Sequence, residues 1–205
     1  MEPLNKLSFS ARLRGSWTDN MNIVKSSSPN FYSRQGYKPE FIVVHITDGY
    51  FPSDLEWLLN PASQVSSHDL IAPNGDCHEL VDWQNGAWHA GRVLNPTAKL
   101  LKKNMWGSII NPNYYSYGIE ISCKPPALPT IAQFETLKQR IKDRLALFVL
   151  PVNRDRVIGH HEIYSEKTCP APIDIDKLVI DLIVPPAVDR AAIVKQIKEL
   201  ADKLL

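Results

Sequence analysis

The sequence predicts an α/β (α+β) domain in which helices flank a central mixed β-sheet, with an N-terminal arm before it and a C-terminal helix after it. Residues 41–47 and 117–122 are apolar runs rich in β-branched side chains, which is typical of buried central strands. Residues 65–72 and 77–81 flank the turn sequence Pro-Asn-Gly-Asp, which predicts an antiparallel hairpin and therefore a mixed sheet. Residues 131–148 carry apolar side chains at helical spacing, which indicates a core helix.

Length and composition limit the class of protein. The chain has 205 residues, which suits one domain with a full core and a short appendage. Its 44% hydrophobic and 22% charged residues are typical of soluble globular proteins. The formal net charge of +1 gives no electrostatic reason to expect nucleic acid as a partner, and no apolar run is long enough for stable membrane insertion. Three cysteines argue against a closed disulfide framework and leave free thiols or a metal ligand.

Breaks in the pattern divide the chain into three parts. Residues 1–37 are polar and irregular, and we expect an arm that packs on the domain and has a short helix near its start. Residues 38–183 form the main domain. Residues 184–205 form a Pro-linked amphipathic helix that can dock on the domain or pair with a second copy, so we expect a monomer or a weak dimer. The N-terminus has no apolar signal segment, so we expect synthesis in the cytoplasm.

Polar residues mark where the helices begin. Ser53 and Glu56 have the spacing of a capping box at the start of a short helix. Thr130 is expected to cap the core helix, which continues to about residue 149. Asp174 is expected to cap the last helix of the main domain.

Two cysteines and one histidine are expected to have structural roles only. Cys77 and Cys123 lie in strand patterns and are expected to be small buried hydrophobes. His78 is expected at the surface.

A candidate metal site begins just after a short predicted strand at residues 156–159. The following segment contains His160, His161, Lys167 and Cys169. A thiolate and a neutral imidazole are the ligands that zinc prefers, and these groups seldom cluster for packing reasons alone. His160 and Cys169 are too far apart in the chain to share one helical turn, so the segment should loop out and fold back. A further ligand must come from elsewhere in the chain.

Histidines near the ends of other strands are the candidates for that ligand. They are His45, and His68 or His89, although a buried histidine more often bonds a neighbouring backbone group. The set that explains most is His45 with His160 and Cys169, because three protein ligands leave a fourth position open to water. Such a zinc lowers the pKa of the water and polarises a carbonyl, which permits hydrolysis of an amide or ester.

Hydrolysis also requires a base for the water and a cation for the developing oxyanion. Glu120 interrupts a buried-strand pattern and suits the first role, although a structural ion pair is an equal alternative. Lys167, two residues before Cys169, suits the second role, although loop lysines are usually only solvated.

These residues resemble the zinc-dependent N-acetylmuramoyl-L-alanine amidases of the type-2 amidase and peptidoglycan-recognition-protein superfamily. The resemblance covers residues 38–180, and five motifs follow in the family's order. They are Phe-Ile-Val-Val-His-Ile-Thr with His45, Val-Ser-Ser-His-Asp-Leu-Ile-Ala-Pro-Asn-Gly-Asp with His68, Ala-Trp-His-Ala-Gly with His89, Tyr-Ser-Tyr-Gly-Ile-Glu-Ile with Glu120, and the segment from Gly159 to Pro170.

The resemblance implies a role for each matched residue. It implies zinc on His45, His160 and Cys169, a catalytic role for Glu120 towards the water, and stabilisation of the oxyanion by Lys167. His160 is preferred to its neighbour His161, because Gly-His-His-Glu-Ile aligns best with the family's Gly-His-x-Asp-Ile pattern.

Three residues are expected to bind substrate. Trp88 and His89 should line the cleft and contact the glycan or the stem peptide, with packing at the domain edge as the alternative. His68 is expected to point at the site, with a core position as an equal alternative. Some members of the family have a catalytic Tyr before the hairpin His. This chain has Ser67 there, so we expect the catalytic role to fall on Glu120 instead.

The implied reaction is hydrolysis of the amide bond between N-acetylmuramic acid and L-alanine in peptidoglycan. Recycling amidases of the bacterial cytoplasm usually carry Asp as the third ligand, whereas phage lysins carry Cys, so Cys169 favours an endolysin or autolysin that reaches the wall after release. Two alternatives are a peptidoglycan-binding receptor module without turnover, which Cys169 argues against, and a cytoplasmic muropeptide-recycling amidase.

Overall fold

The computed structural model describes residues 21–184. Its regular elements, in chain order, are β1 (Ile23–Lys25), β2 (Phe31–Ser33), β3 (Phe41–Ile46), α1 (Ser53–Leu59), β4 (Asp69–Ile71), β5 (Cys77–Glu79), β6 (Asn85–Ala87), β7 (Ser116–Ile121), α2 (Ile131–Leu147), β8 (Val157–Gly159) and α3 (Ile175–Ile183). Short 3₁₀ turns occur at Pro61–Ser63, Pro112–Tyr114 and His160–Glu162.

A mixed six-stranded sheet forms the centre of the described chain, which confirms the predicted fold class. The strand order is β1-β5-β4-β7-β3-β8. Only β4 and β5 pair antiparallel, and every other pair in this sheet is parallel. Because β3, β7 and β8 run in the same direction, their last residues lie at one edge of the sheet. A separate antiparallel pair joins β2 to β6.

The two faces of the sheet carry different layers. On one face, alternate residues of β3 and β7 pack against α2 and α3 in the main core. On the other face, Phe41 and Val43 pack with Tyr115, Ile158 and Ile163, below partly buried side chains of residues 93–114. Side-chain alternation therefore places the next residue of this series in β3, His45, on the face away from α2.

Helix caps agree with the sequence prediction in two cases out of three. Thr130 accepts a hydrogen bond from Gln133, whose side chain bonds back to the Thr130 backbone, so the predicted cap forms. Asp174 accepts from the backbone of Lys177 at the start of α3. The predicted capping box at Ser53 is wrong, because Pro52 is the residue before α1 and no side chain caps this helix.

Three other expectations are corrected by the structure. Residues 1–37 are not irregular throughout, because β1 forms an edge strand of the main sheet and β2 pairs with β6. His78 is not at the surface: its side chain is buried beside Phe51 and contacts the hydroxyl of Ser26. Ile131, although in phase with the apolar positions of α2, is exposed at the first residue of the helix. Cys77 and Cys123 are buried, as predicted.

Parts of the predicted organisation lie outside the described residues. These are the short helix near the start of the arm and the amphipathic C-terminal helix, with the association expected from it. The boundaries after residues 37 and 183 stay predictions. Within residues 21–184, none of the helices combines the length and the apolar character that crossing a membrane requires.

Candidate active site

Three metal-type donors meet at the edge where β3 and β8 end. His45 is the fifth residue of β3, and His160 directly follows β8. Cys169 lies in the loop that folds back to this edge, where its sulfur accepts a hydrogen bond from the backbone of Ile46. Its carbonyl accepts from the backbone of His161, which closes the loop on itself. The structure thus brings together the three residues predicted from sequence as zinc ligands.

The distances among these donors fit a tetrahedral zinc ion. Nδ1 of His45 lies 3.1 Å from Nδ1 of His160 and 3.9 Å from Sγ of Cys169. All three donor atoms lie within 4.8 Å of one another. Zn–N bonds of about 2.0–2.1 Å and a Zn–S bond of about 2.3 Å imply N···N and N···S separations of about 3.3 Å and about 3.6 Å. The donor set therefore fits zinc and leaves one coordination position for water.

His161 does not belong to this donor group. Its ring is exposed and its Nδ1 lies 3.1 Å from the carbonyl oxygen of Cys169. Gly159 makes the crowding at this turn tolerable, because a Cβ at that position would lie 2.6 Å from the Pro170 ring and 2.7 Å from the ring of His161. A glycine at the end of a strand pattern is the sequence signal for such a close approach.

The ionisation of the donors suits metal binding. Burial lowers the pKa of His45 well below its ordinary value, as do the nearby His160 and His89. Burial and then the charges of Lys167 and His161 lower the pKa of His160 to about 4. Both imidazoles are therefore neutral, the form that binds metal.

The thiol of Cys169 needs help to become a ligand. Burial, followed by the charge of Glu120, raises its pKa to about 12. A bound cation favours the thiolate and would offset this cost.

Glu120 lies directly beside the donors. It is the register partner of His45 in the β3–β7 pair, and its Oε1 lies 4.0 Å from Nδ1 of His45. Its Oε2 is buried and has no hydrogen-bond partner within residues 21–184. Burial and the charge of Asp54 raise the pKa of Glu120, and the ammonium of Lys167 lowers it. The result is a pKa of about 8. A buried carboxylate oxygen without a partner costs free energy, so this atom is placed for a proton, a water molecule or a substrate group.

The donors open into a cavity of about 510 Å³. A second cavity of about 450 Å³ adjoins it, and both are lined by Trp88, His89, His160 and Lys167. Lys167 is exposed at the rim, and Trp57 lines the first cavity. Trp88 and His89 thus lie where the sequence prediction expects substrate contacts.

His68 does not lie in the cleft, so the structure does not support its predicted contact with substrate. Its ring is fully buried and stacks on Tyr117. Its Nδ1 accepts a hydrogen bond from the backbone of Gly118, and its Nε2 lies 2.8 Å from a guanidinium nitrogen of Arg34. These contacts hold the ring beneath the site, where His89 separates it from His45. The neighbouring Ser67 is also fully buried.

Sequence reasoning missed two residues that shape the site. Arg34 is buried and donates to the backbone carbonyls of Trp83, Tyr114 and Ser116, so it ties several loops together below the cleft. It lies in the segment predicted to be irregular, where no periodic pattern marks it. Ser116 is fully buried and its hydroxyl contacts the ring of His89. A serine at the start of a strand carries no signal of this kind.

Comparison with known proteins assigns the described fold to a family. The sequence profile of the family described as N-acetylmuramoyl-L-alanine amidase (Amidase_2) matches residues 35–172. N-acetylmuramoyl-L-alanine amidase A of Achromobacter lyticus is 30% identical over 96 residues, which are 46% of this chain and 43% of that protein. This chain therefore matches less than half of the length of that curated relative.

Solved structures share the fold. A selenomethionine derivative of AmpD matches with a TM-score of 0.56 and 24% identity, over 82% of this chain and 97% of that one. PlyL matches with a TM-score of 0.59 and 18% identity, over 79% of this chain and 97% of that one. AmiD from E. coli, in complex with the substrate anhydro-N-acetylmuramic acid-L-Ala-D-gamma-Glu-L-Lys, matches with a TM-score of 0.53 and 26% identity, over 73% of this chain and 58% of that one.

Proposed function

The chain belongs to the N-acetylmuramoyl-L-alanine amidase family, and we propose that it hydrolyses the amide bond between N-acetylmuramic acid and L-alanine in peptidoglycan. One observation carries the proposal: three zinc-type donors converge at one sheet edge beside Glu120, whose Oε2 is buried without a hydrogen-bond partner within residues 21–184. A module that only binds peptidoglycan needs a groove, but it has no use for such a donor set and carboxylate.

His45, His160 and Cys169 would hold the zinc ion. When bound there, zinc supplies Lewis-acid chemistry, because it lowers the pKa of a water molecule and polarises a carbonyl oxygen. The remaining steps fall to side chains of this chain.

Glu120 is the proposed general base and acid. Its carboxylate lies beside the donors and takes a proton from the attacking water, which adds to the lactyl carbonyl carbon. The same carboxyl then gives the proton to the leaving nitrogen of L-alanine as the C–N bond breaks. Burial raises the pKa of Glu120, which favours a group that both accepts and returns a proton near neutral pH.

Lys167 is the proposed electrostatic partner of the developing oxyanion. It lines both cavities, and its ammonium is close enough to shift the pKa of Glu120 and of His160. A cation that faces the carbonyl oxygen stabilises the charge of the tetrahedral intermediate more than the charge of the neutral amide.

The two adjoining cavities are proposed to hold the sugar and the stem peptide. Trp88 and His89 line both of them and are the proposed contacts at their junction. AmiD from E. coli, one of the similar structures, contains a muramyl peptide of this type. This supports a muramyl peptide as the substrate class of the present chain.

We place the activity in lysis of the cell wall, as in a phage or prophage endolysin or a bacterial autolysin that reaches the wall after release from the cytoplasm. The support is Cys169 as the third donor, since the lysins that the sequence resembles carry Cys at this position and recycling amidases usually carry Asp. A recycling amidase would act instead on soluble anhydromuropeptides in the cytoplasm.

The test is parallel digestion of purified peptidoglycan and of a soluble anhydromuropeptide, with and without a zinc chelator. We expect new L-alanine amino groups from intact walls, no new reducing sugar ends, and no product with chelator. Reducing ends would identify a glycosidase and contradict the proposal. Cleavage of the soluble substrate alone would assign a recycling role, and wall binding without product would assign a receptor.

A further inference from the structure

A continuous series of hydrogen-bond contacts leads from His45 away from the donor group. Nε2 of His45 lies 3.0 Å from Nδ1 of His89. Nε2 of His89 lies 3.2 Å from the hydroxyl oxygen of Ser116, and that hydroxyl donates to the carbonyl oxygen of Pro112 at 2.8 Å. We call these four residues the His89 relay. Each ring nitrogen and the hydroxyl oxygen of the relay can act as donor or acceptor, whereas the carbonyl oxygen of Pro112 only accepts. The carbonyl therefore sets the direction of the hydrogen bonds.

The carbonyl of Pro112 orients the whole relay. A carbonyl oxygen only accepts, so the 2.8 Å contact requires that the hydroxyl of Ser116 donates to it. The hydroxyl has one proton, so its oxygen must accept from Nε2–H of His89. A neutral His89 then has a bare Nδ1, which must accept from Nε2–H of His45. His45 is left with a bare Nδ1, the atom that faces His160 and Cys169.

The ring of His89 has little freedom to leave this arrangement. It lies on Gly118 of β7, where a Cβ would come within 2.5 Å of the ring. The side-chain oxygen of Asn113 accepts from the backbone N–H groups of both His89 and Ala90. Because Gly118 packs against the ring and Asn113 fixes the backbone, both ring nitrogens stay in line with their partners.

One face of β7 supplies several of these parts. Ser116, Gly118 and Glu120 alternate along the strand and share a face. The strand therefore carries the Ser116 hydroxyl of the relay, the glycine on which the His89 ring lies and the carboxylate of the site, in a single register with β3.

We propose that His89 and Ser116 are positioning residues that hold His45 in its Nε2–H tautomer, so that its bare Nδ1 is presented to zinc. The proposal rests on the metal site of the proposed function. A metal-binding histidine usually donates its other N–H to a partner that fixes its tautomer and orientation, and loss of that partner weakens metal binding by about 10–100-fold. Here a second histidine is that partner, and a backbone carbonyl beyond it sets the direction.

The first test reads the tautomers directly, without metal. Long-range ¹H–¹⁵N correlation spectra of protein labelled with ¹⁵N-histidine distinguish Nδ1–H from Nε2–H. We expect Nε2–H at both His45 and His89 in the metal-free protein. In Ser116→Ala we expect His89 to lose its single tautomer. An Nδ1–H signal at either residue of the unaltered protein would overturn the proposal.

The second test measures zinc affinity by competition with a chromophoric chelator. Ser116→Ala should weaken binding by about tenfold or more, and His89→Leu by about 100-fold. His89→Asn should recover much of the loss, because its side-chain oxygen can accept from Nε2–H of His45. Ser67→Ala is the matched control, since Ser67 is also fully buried and also donates to a backbone carbonyl, and it should bind zinc normally.

The outcomes separate the relay from the amidase proposal. If Ser116→Ala and Ser67→Ala both bind zinc as tightly as the wild-type protein, and the wild-type protein is active, the relay is overturned and the amidase proposal stands. The expected tautomers and affinities in a protein that cleaves no muramyl amide would support the relay and contradict the amidase. If Ser67→Ala and Ser116→Ala lose zinc affinity to the same extent, the effect is general destabilisation and the positioning role is overturned.

Discussion

His45 and Glu120 are register partners on the neighbouring parallel strands β3 and β7, with Nδ1 and Oε1 4.0 Å apart. Paired residues of adjacent strands point to the same face, so the ladder itself sets the distance between the candidate ligand and the candidate base. Six consecutive pairs join these strands, and the His45–Glu120 pair lies next to the last of them. The geometry of the candidate site is therefore built on a continuous strand ladder, and the loop with Cys169 completes it.

Glu120→Gln should abolish turnover and preserve zinc binding. Glutamine keeps the shape of the side chain but cannot take a proton from water, so we expect kcat to fall by about 10²–10⁴-fold. Steady-state kinetics and zinc content would be measured together. Glu166→Gln is the control, because Glu166 also lines the first cavity but accepts a hydrogen bond from Tyr164. Unchanged kcat in Glu120→Gln would remove Glu120 from the mechanism.

His160→Ala and His161→Ala should differ sharply. Nδ1 of His160 belongs to the donor group, whereas the ring of His161 is exposed and its Nδ1 faces a backbone carbonyl. We expect His160→Ala to lose bound zinc and activity, and His161→Ala to keep both within a few-fold. Zinc content after dialysis is the measurement. Loss of zinc in His161→Ala alone would show that the ligand is the next residue along.

Lys167→Met should lower kcat more than it changes KM. A cation that acts on the oxyanion stabilises the transition state selectively, and removal of one such group costs about 10²–10³-fold in kcat. Lys167→Arg should retain part of the activity. Lys103→Met serves as the control on another loop of the surface. An increase in KM with constant kcat would instead assign Lys167 to substrate binding.

The buried pair of Asp69 and Arg140 should be important for stability. Two guanidinium nitrogens of Arg140 donate to the two carboxylate oxygens of Asp69 at 3.0 and 2.9 Å, and both side chains are buried. Removal of one partner leaves a buried charge, so Arg140→Met should lower the free energy of unfolding by about 3–5 kcal/mol. Urea unfolding measures this. Lys138→Met, which removes an exposed pair with Glu135, should cost about 0.5 kcal/mol or less.

Glu79 should make stability depend on pH in the acid range. Burial by itself raises the pKa of Glu79, but hydrogen bonds from Lys25 and Arg140 and the charges of Arg140 and Arg144 lower it to about 2. A carboxyl with a lowered pKa stabilises the fold above its unfolded-state pKa, and this contribution is lost as the pH falls. We expect the loss between about pH 5 and about pH 2.

Urea unfolding across this pH range tests the role of Glu79. In Glu79→Gln the curve of stability against pH should be flatter than in wild type over this range. Equal slopes for Glu79→Gln and wild type would contradict the prediction.

The sequence alone determined the features that depend on neighbours in the chain. Runs of β-branched residues predicted β3 and β7, the Pro-Asn-Gly-Asp turn predicted the β4–β5 hairpin, and a polar cap marked the start of α2. Local propensity and turn chemistry act over a few residues, so they can be recognised without the fold. The residue types and order of the motifs were likewise sufficient to identify the family and the three donors.

Only the tertiary structure decided which face and which depth each side chain occupies. His45, His68 and His89 were all candidate site residues from the sequence, yet His45 is one of the three donors, His89 contacts its ring, and His68 lies buried on Tyr117. The contacts of Ser116 with His89 and with the carbonyl of Pro112 form only because the loop before β7 packs on this strand. These relations arise from pairing and packing between distant segments, and a shift of one residue in strand register would turn each side chain to the opposite face.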